Sequence, residues 1–162
     1  MLTRIIGLLL ATLVVPLAFA GADPLLGTWK LDLSKSSYGA LAPPKSITRT
    51  FLAPREGEIQ FIVDEVTASG ASIHIEWTGK YDGKDCPATG AKSYDSAAMR
   101  PSSADTLDWT FKKSGQLALK ATSIVSRDGK TLTITWTGKN PQGETITVVH
   151  IYDKELPSSD RR

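Results

Sequence analysis

The chain has 162 residues, a formal charge of +2 at pH 7, 41% hydrophobic residues and one cysteine. A near-neutral chain without a Lys/Arg cluster lacks the electrostatic footprint that nucleic acid requires, and a lone Cys86 excludes an intramolecular disulfide. The length suits one domain with its own core, held together by packing alone.

Taken in order, the chain begins with a leader. Met1 to Arg4 carries the amino terminus and one Arg, Ile5 to Leu17 is almost wholly apolar, and Ala18-Phe19-Ala20 is a small-x-small site. This predicts a signal peptide over residues 1–20, cleaved after Ala20, and a secreted or periplasmic protein. Gly7 and Pro16 interrupt the apolar run, which stops short of the roughly 18–20 residues a membrane span needs. No Cys follows the cleavage point, so no stable membrane anchor is expected after cleavage. Removing 20 of 162 residues leaves 142, and losing Arg4 takes the charge from +2 to +1.

From Leu26 onward, period-2 runs alternate with turn signals. Strand one is Leu26 to Asp32, where Gly27 lets the chain enter a sheet and Trp29 and Leu31 share a face. Ser34 to Lys45 is polar and contains Gly39, Pro43 and Pro44, so it reads as a loop or cap with one short turn of helix around Lys35 to Tyr38. Strand two, Ile47 to Ala53, puts Ile47, Arg49 and Phe51 on one face. Strand three is Glu58 to Thr67. Strand four, Ala71 to Tyr81, sets Ile73, Ile75, Trp77 and Tyr81 against Ser72, His74, Glu76, Thr78 and Lys80. Asp82-Gly83-Lys84 makes a tight turn into a short strand near Asp85 to Ala88. Further strands follow at Tyr94 to Arg100, Thr106 to Lys112, Gln116 to Ser126 and Thr131 to Thr137. Asn140-Pro141-Gln142-Gly143 turns the chain into the last strand, Thr145 to Asp153, and 157–162 is a disordered tail.

Ile73-His74-Ile75-Glu76-Trp77-Thr78-Gly79-Lys80 repeats in pattern as Leu132-Thr133-Ile134-Thr135-Trp136-Thr137-Gly138-Lys139. Two similar hairpins therefore occupy comparable places, each setting a Trp near one rim. Antiparallel strands with short connections remove their edges by closing on themselves. The expected fold is an all-β, antiparallel up-and-down barrel of about 8–10 strands spanning residues 21–156. A barrel of that size can hold a small ligand or be filled by its own side chains.

Gly27-Thr28-Trp29-Lys30-Leu31 resembles the G-x-W opening of the calycin superfamily, the lipocalins and fatty-acid-binding proteins. Ile151-Tyr152-Asp153-Lys154-Glu155 is similar to the closing strand of fatty-acid-binding proteins, which carries R-x-Y. The whole span from Leu26 to Leu156 is similar to small secreted lipocalin-like proteins of soil bacteria, through Tyr81 to Asp85 and Asp128 to Thr133. The resemblance implies a lipocalin-like barrel that binds a small hydrophobic ligand, a fatty acid or another lipid-like molecule. Two departures stand out. Ser34 to Ser46 is too short for the two-helix lid of fatty-acid-binding proteins, and His150 stands where R-x-Y has its Arg.

The resemblance turns Ile146, Val148, His150 and Tyr152 inward together with Trp29 and Leu31. Trp77, Tyr81, Trp109, Phe111 and Trp136 then line the interior or simply fill it, and with Phe51 they offer an aromatic wall to an apolar ligand. Arg49 is the candidate inward charge, pairing either with a ligand carboxylate or with Glu65 or Asp108. His150 has a second possible role as a haem ligand, by similarity to nitrobindin-type barrels. His74 falls on the wet face, Arg127 at a turn, and Cys86 reads as a small, partly buried residue. Nothing resembling a G-x-S-x-G, an H-E-x-x-H or a phosphate loop is present, so no enzyme and no cofactor are expected. The alternative to a ligand carrier is a packed barrel acting on a protein partner through its outer surface, as an inhibitor would.

Overall fold

Each alternating run offers one apolar face, and a sheet rolled shut buries all of those faces at once. A computed structural model describes residues 23–139 and 142–156. The predicted signal peptide, Asn140 and Pro141 of the last hairpin turn, and the 157–162 tail lie outside the described residues. Ten strands form: β1 (Gly27–Leu31), β2 (Ser46–Leu52), β3 (Ile59–Val66), β4 (Ser72–Gly79), β5 (Cys86–Thr89), β6 (Ser96–Pro101), β7 (Thr106–Lys113), β8 (Gln116–Val125), β9 (Thr131–Lys139) and β10 (Thr145–Lys154). Each pairs antiparallel with its chain neighbour, and β1 closes the barrel against β10 with Trp29 opposite Lys154 and Leu31 opposite Tyr152.

Such a meander has two ends. The β1–β2, β3–β4, β5–β6, β7–β8 and β9–β10 connections lie at one, called the mouth here; the remaining turns lie at the other. Residues 23–26 plug that other end. Leu25 is buried, the Trp29 indole N–H donates to its carbonyl at 2.8 Å, and Lys154 Nζ donates to the Pro24 carbonyl at 3.0 Å while sitting 4.8 Å from the Trp29 ring.

The segment between β1 and β2 departs from expectation. No turn of helix forms around Lys35 to Tyr38. The Asp32 carboxylate instead accepts hydrogen bonds from the Ser34 hydroxyl at 2.6 Å and the Ser34 N–H at 2.9 Å. Ser37 then exchanges two backbone hydrogen bonds with Val149, each 2.8 Å. The reason is strand length: β10 has ten residues and β1 only five, so β10 presents unpaired backbone groups that the cap satisfies. The cap then crosses the mouth through Tyr38, Leu41 and Pro44.

The short strand β5 is the thinnest part of the wall, joined to β4 and β6 by two residue pairs each. Gly90, just beyond it, has φ +83°, and a Cβ there would come within 1.8 Å of the His74 carbonyl oxygen. Only glycine tolerates both the conformation and the approach. Between β7 and β8 a bulge at Phe111/Lys112 shifts the register.

On the outside, His74 is exposed between Asp64 at 2.6 Å and Glu76 at 2.9 Å, and these contacts raise its pKa. Arg127 is exposed and Cys86 is a half-buried free thiol. No helix among the described residues is long and apolar enough to cross a membrane.

Candidate functional site

The half of the barrel away from the mouth is filled. Trp29, Phe51, Phe61, Trp77, Met99 and Leu132 are each at most 1% exposed. Phe61 and Trp77 stack at 5.4 Å, and Trp109 meets Trp77 edge-on at 5.5 Å. The indole N–H groups in this half are paired: Trp77 donates to the Ala97 carbonyl and Trp109 to the Ser123 hydroxyl, each at 2.9 Å. Of the aromatic residues picked out in the sequence, Trp29, Phe51, Trp77 and Trp109 thus form packed core. Tyr81 lies at the plugged end, half-buried, its hydroxyl donating to the Asp23 carboxylate. Burial, then that bond, pushes its pKa far above the usual tyrosine range.

The mouth half holds a cavity of about 540 Å³. Its wall is mainly aliphatic: Ile47, Val63, Ile73, Ile75, Leu119, Ile146 and Val148. These come from five strands, each inward because it keeps the parity of a buried neighbour. The cap adds Tyr38, Leu41, Ala42 and Pro44, and the β5–β6 turn adds Ala91 and Tyr94. Lys92 and Lys139 stand exposed at the rim. A volume of this size lies within the range of small-molecule sites, roughly 300–1,000 Å³.

Arg49, Glu65, Trp136 and His150 bring polar groups to this cavity from the barrel wall. Arg49 is 6% exposed, and its guanidinium carbon lies 5.7 Å from the Phe61 ring, 5.5 Å from Trp136 and 5.7 Å from Tyr152. Three ring faces from β3, β9 and β10 surround the cation, an arrangement that partly compensates its desolvation. Asp108 is not its partner: it faces outward from β7 toward Thr122. Glu65 shares the cavity but stays outside ion-pairing distance of Arg49. Burial pushes the Glu65 carboxyl up, and the Arg49 charge pulls it partly back.

His150 sits among the rings of Tyr38 at 5.6 Å, Tyr152 at 6.0 Å and Trp136 at 6.4 Å. Its pKa is pushed down to about 4, by burial first and by Arg49 second, so the ring is neutral at neutral pH. Nδ1 lies 3.3 Å from the hydroxyl of Tyr152, which is fully buried beneath it. The structure therefore brings Arg49, Trp136 and His150 to the cavity, with Tyr152 behind them.

Sequence reasoning missed Tyr38, Tyr94, Ala91 and Leu119. Tyr38 and Ala91 belong to connections, which carry no periodicity, and Tyr94 precedes its strand. Leu119 shares the spacing-two parity of buried Ala121, Ser123 and Val125, and that alternation was the signal that could have found it.

No protein-family model matches the chain, and no curated protein is similar to it in sequence. Solved structures match in shape. The fluorescent protein UnaG is 14% identical, with 80% of this chain and 96% of that one covered at a TM-score of 0.56. The zebrafish ileal bile acid-binding protein complexed with cholic acid is 15% identical, with 82% of this chain and 100% of that one covered at a TM-score of 0.53. Together with the closed ten-strand meander, these likenesses give the chain a lipocalin-like barrel fold.

Proposed function

We propose that the protein is a secreted or periplasmic carrier that holds a small apolar molecule inside the mouth half of its barrel. The observation that carries this reading is the cavity of about 540 Å³ with an aliphatic wall, set above a floor of packed aromatic rings. A core that needed only to fold would fill that volume, because empty apolar space forfeits dispersion contacts. The zebrafish barrel of the same shape is complexed with cholic acid, so the architecture accommodates a small amphipathic guest. Export rests on the leader over residues 1–20. The reading is binding, carried by the shape and the largely aliphatic wall of the cavity.

Titration with the neutral, environment-sensitive dye 1-N-phenylnaphthylamine tests it. Wild-type protein should take up the dye with a blue-shifted emission, and Ile75→Trp, which fills the cavity, should abolish uptake while circular dichroism stays that of a β-barrel. Equal uptake by a folded Ile75→Trp variant would overturn the reading. Native mass spectrometry of protein purified gently from its host, before and after organic extraction, should show an extra mass that extraction removes.

A further inference from the structure

We infer that Glu65 sets the charge of the ligand: the cavity selects an uncharged head group that both accepts and donates hydrogen bonds, a carboxamide or a hydroxyl, seated between Glu65 and Arg49, and turns anions away. This names a ligand class for the carrier and rests on that reading.

Arg49 and Glu65 are a charge pair that stays open. Arg49 lies opposite Val63, and Glu65 is two residues further along β3 on the same inward face. Diagonal neighbours of this kind stand roughly 7–8 Å apart at the backbone, within reach of two long side chains. They form no salt bridge. The guanidinium is turned instead toward three rings, its carbon 5.5 Å from Trp136 and 5.7 Å from each of Phe61 and Tyr152. Among the described residues, Glu65 has neither an ion pair nor a side-chain hydrogen bond. Both charges face one space: burial raises the pKa of the Tyr94 hydroxyl, Arg49 lowers it and Glu65 raises it again.

The atoms on either side dictate what fits between them. Arg49 Nε, Trp136 Nε1 and Tyr38 Oη are buried without a partner, and all three are able to donate. Such orphans are rare in folded proteins, and each calls for a reason. Facing them, an ionised Glu65 only accepts. A carboxamide satisfies both sides, accepting through its oxygen and donating through its nitrogen, and a hydroxyl does the same through one atom. An ester lacks the donor. A carboxylate lacks it too, and sets a second negative charge beside Glu65.

Charge balance points the same way. Arg49 and Glu65 sum to zero, and neutral His150 adds nothing to that sum. An uncharged guest preserves the balance, whereas an anion that neutralises Arg49 leaves Glu65 without a counter-charge. Lys92 and Lys139 stand exposed at the rim, where solvent screens them. Glu65 is flanked in register by Ile47 and Ile73, so hydrogen bonds made there are sheltered by aliphatic wall.

Competition against 1-N-phenylnaphthylamine with decanamide, decanol, methyl decanoate and decanoate tests this on the full-length folded protein. With wild type, decanamide and decanol should displace the dye at concentrations at least about tenfold below those of methyl decanoate and decanoate. Glu65→Gln keeps an acceptor but loses the charge, so decanoate should gain at least about tenfold and overtake decanamide. Glu65→Leu loses the acceptor as well, so decanamide should fall to the level of methyl decanoate. Circular dichroism of both variants should stay that of a β-barrel. Decanoate level with or ahead of decanamide on wild type, or the wild-type ranking kept in both Glu65 variants, overturns the inference and leaves the carrier reading standing. Failure of wild type to bind the dye and all four guests overturns the carrier reading and the inference with it.

Discussion

Trp77 and Trp136 occupy the same local sequence, a Trp-Thr-Gly-Lys run after two alternating aliphatic residues, and do opposite things. Trp77 is 1% exposed, its N–H is paired, and its ring lies so close over Gly79 that a Cβ there would come within 2.3 Å of it. Trp136 is half-buried, its N–H is unpaired, and its Gly138 meets Leu119 at an ordinary 3.6 Å. The cause is strand direction. β4 and β9 are five strands apart in a meander, so they run oppositely, and a Trp near the end of each lands in the packed half from β4 and at the mouth from β9. One sequence pattern thus supplies a plug in one place and a cavity wall in the other.

The sharpest way to break that comparison is truncation. Trp77→Ala should cost about 3–5 kcal/mol in urea unfolding, the range for a large buried aromatic, whereas Trp136→Ala should cost about 1–2 kcal/mol because its site is already part void. Equal losses would mean that the two halves are packed alike.

Acid should act on the mouth half. The pKa of His150 falls from its ordinary 6.5 to about 4 on folding, so the unfolded chain takes up the proton first as pH drops. The stabilisation is complete above about pH 6.5 and is lost between there and about pH 4. Over that window wild type should lose about 2–3 kcal/mol more than His150→Phe, read from paired denaturation curves. A pH profile identical in both proteins would place the histidine in water rather than among the rings.

The paired glycines give a smaller effect. Gly79→Ala should destabilise by about 1–3 kcal/mol because the Trp77 ring must shift, and Gly138→Ala should be close to neutral. Arg49→Met should change the sign, raising the stability of the empty barrel by about 1 kcal/mol, since it removes a buried cation that has no carboxylate partner. Loss of stability in Arg49→Met would show that the three surrounding rings already compensate the charge fully.

Much of the wall was legible. The alternation in Thr131 to Thr137 and in Ser72 to Gly79 is a local property of the chain, and the observed strands follow it. The inward parity of Ile47, Arg49 and Phe51 was read from three residues at spacing two. The cap was read as a loop, but its pairing with Val149 depends on how far β10 outruns β1, which no local pattern records. The β7–β8 bulge separates exposed Leu117 from Leu119, which shares the inward parity of Ala121, Ser123 and Val125; one inserted residue reverses the faces on its two sides, and only the strand pairing records it.

The sequence by itself determined the strands, their turns and which side of each is apolar, because those depend on residues one to four positions apart. Only the tertiary structure decided which inward residues fill the barrel and which enclose a cavity. That choice depends on distances between side chains from strands many residues apart, and on the direction in which each strand happens to run. Arg49, Trp136 and Tyr38 are 11 and 87 positions apart along the chain, and closure alone sets them around one space.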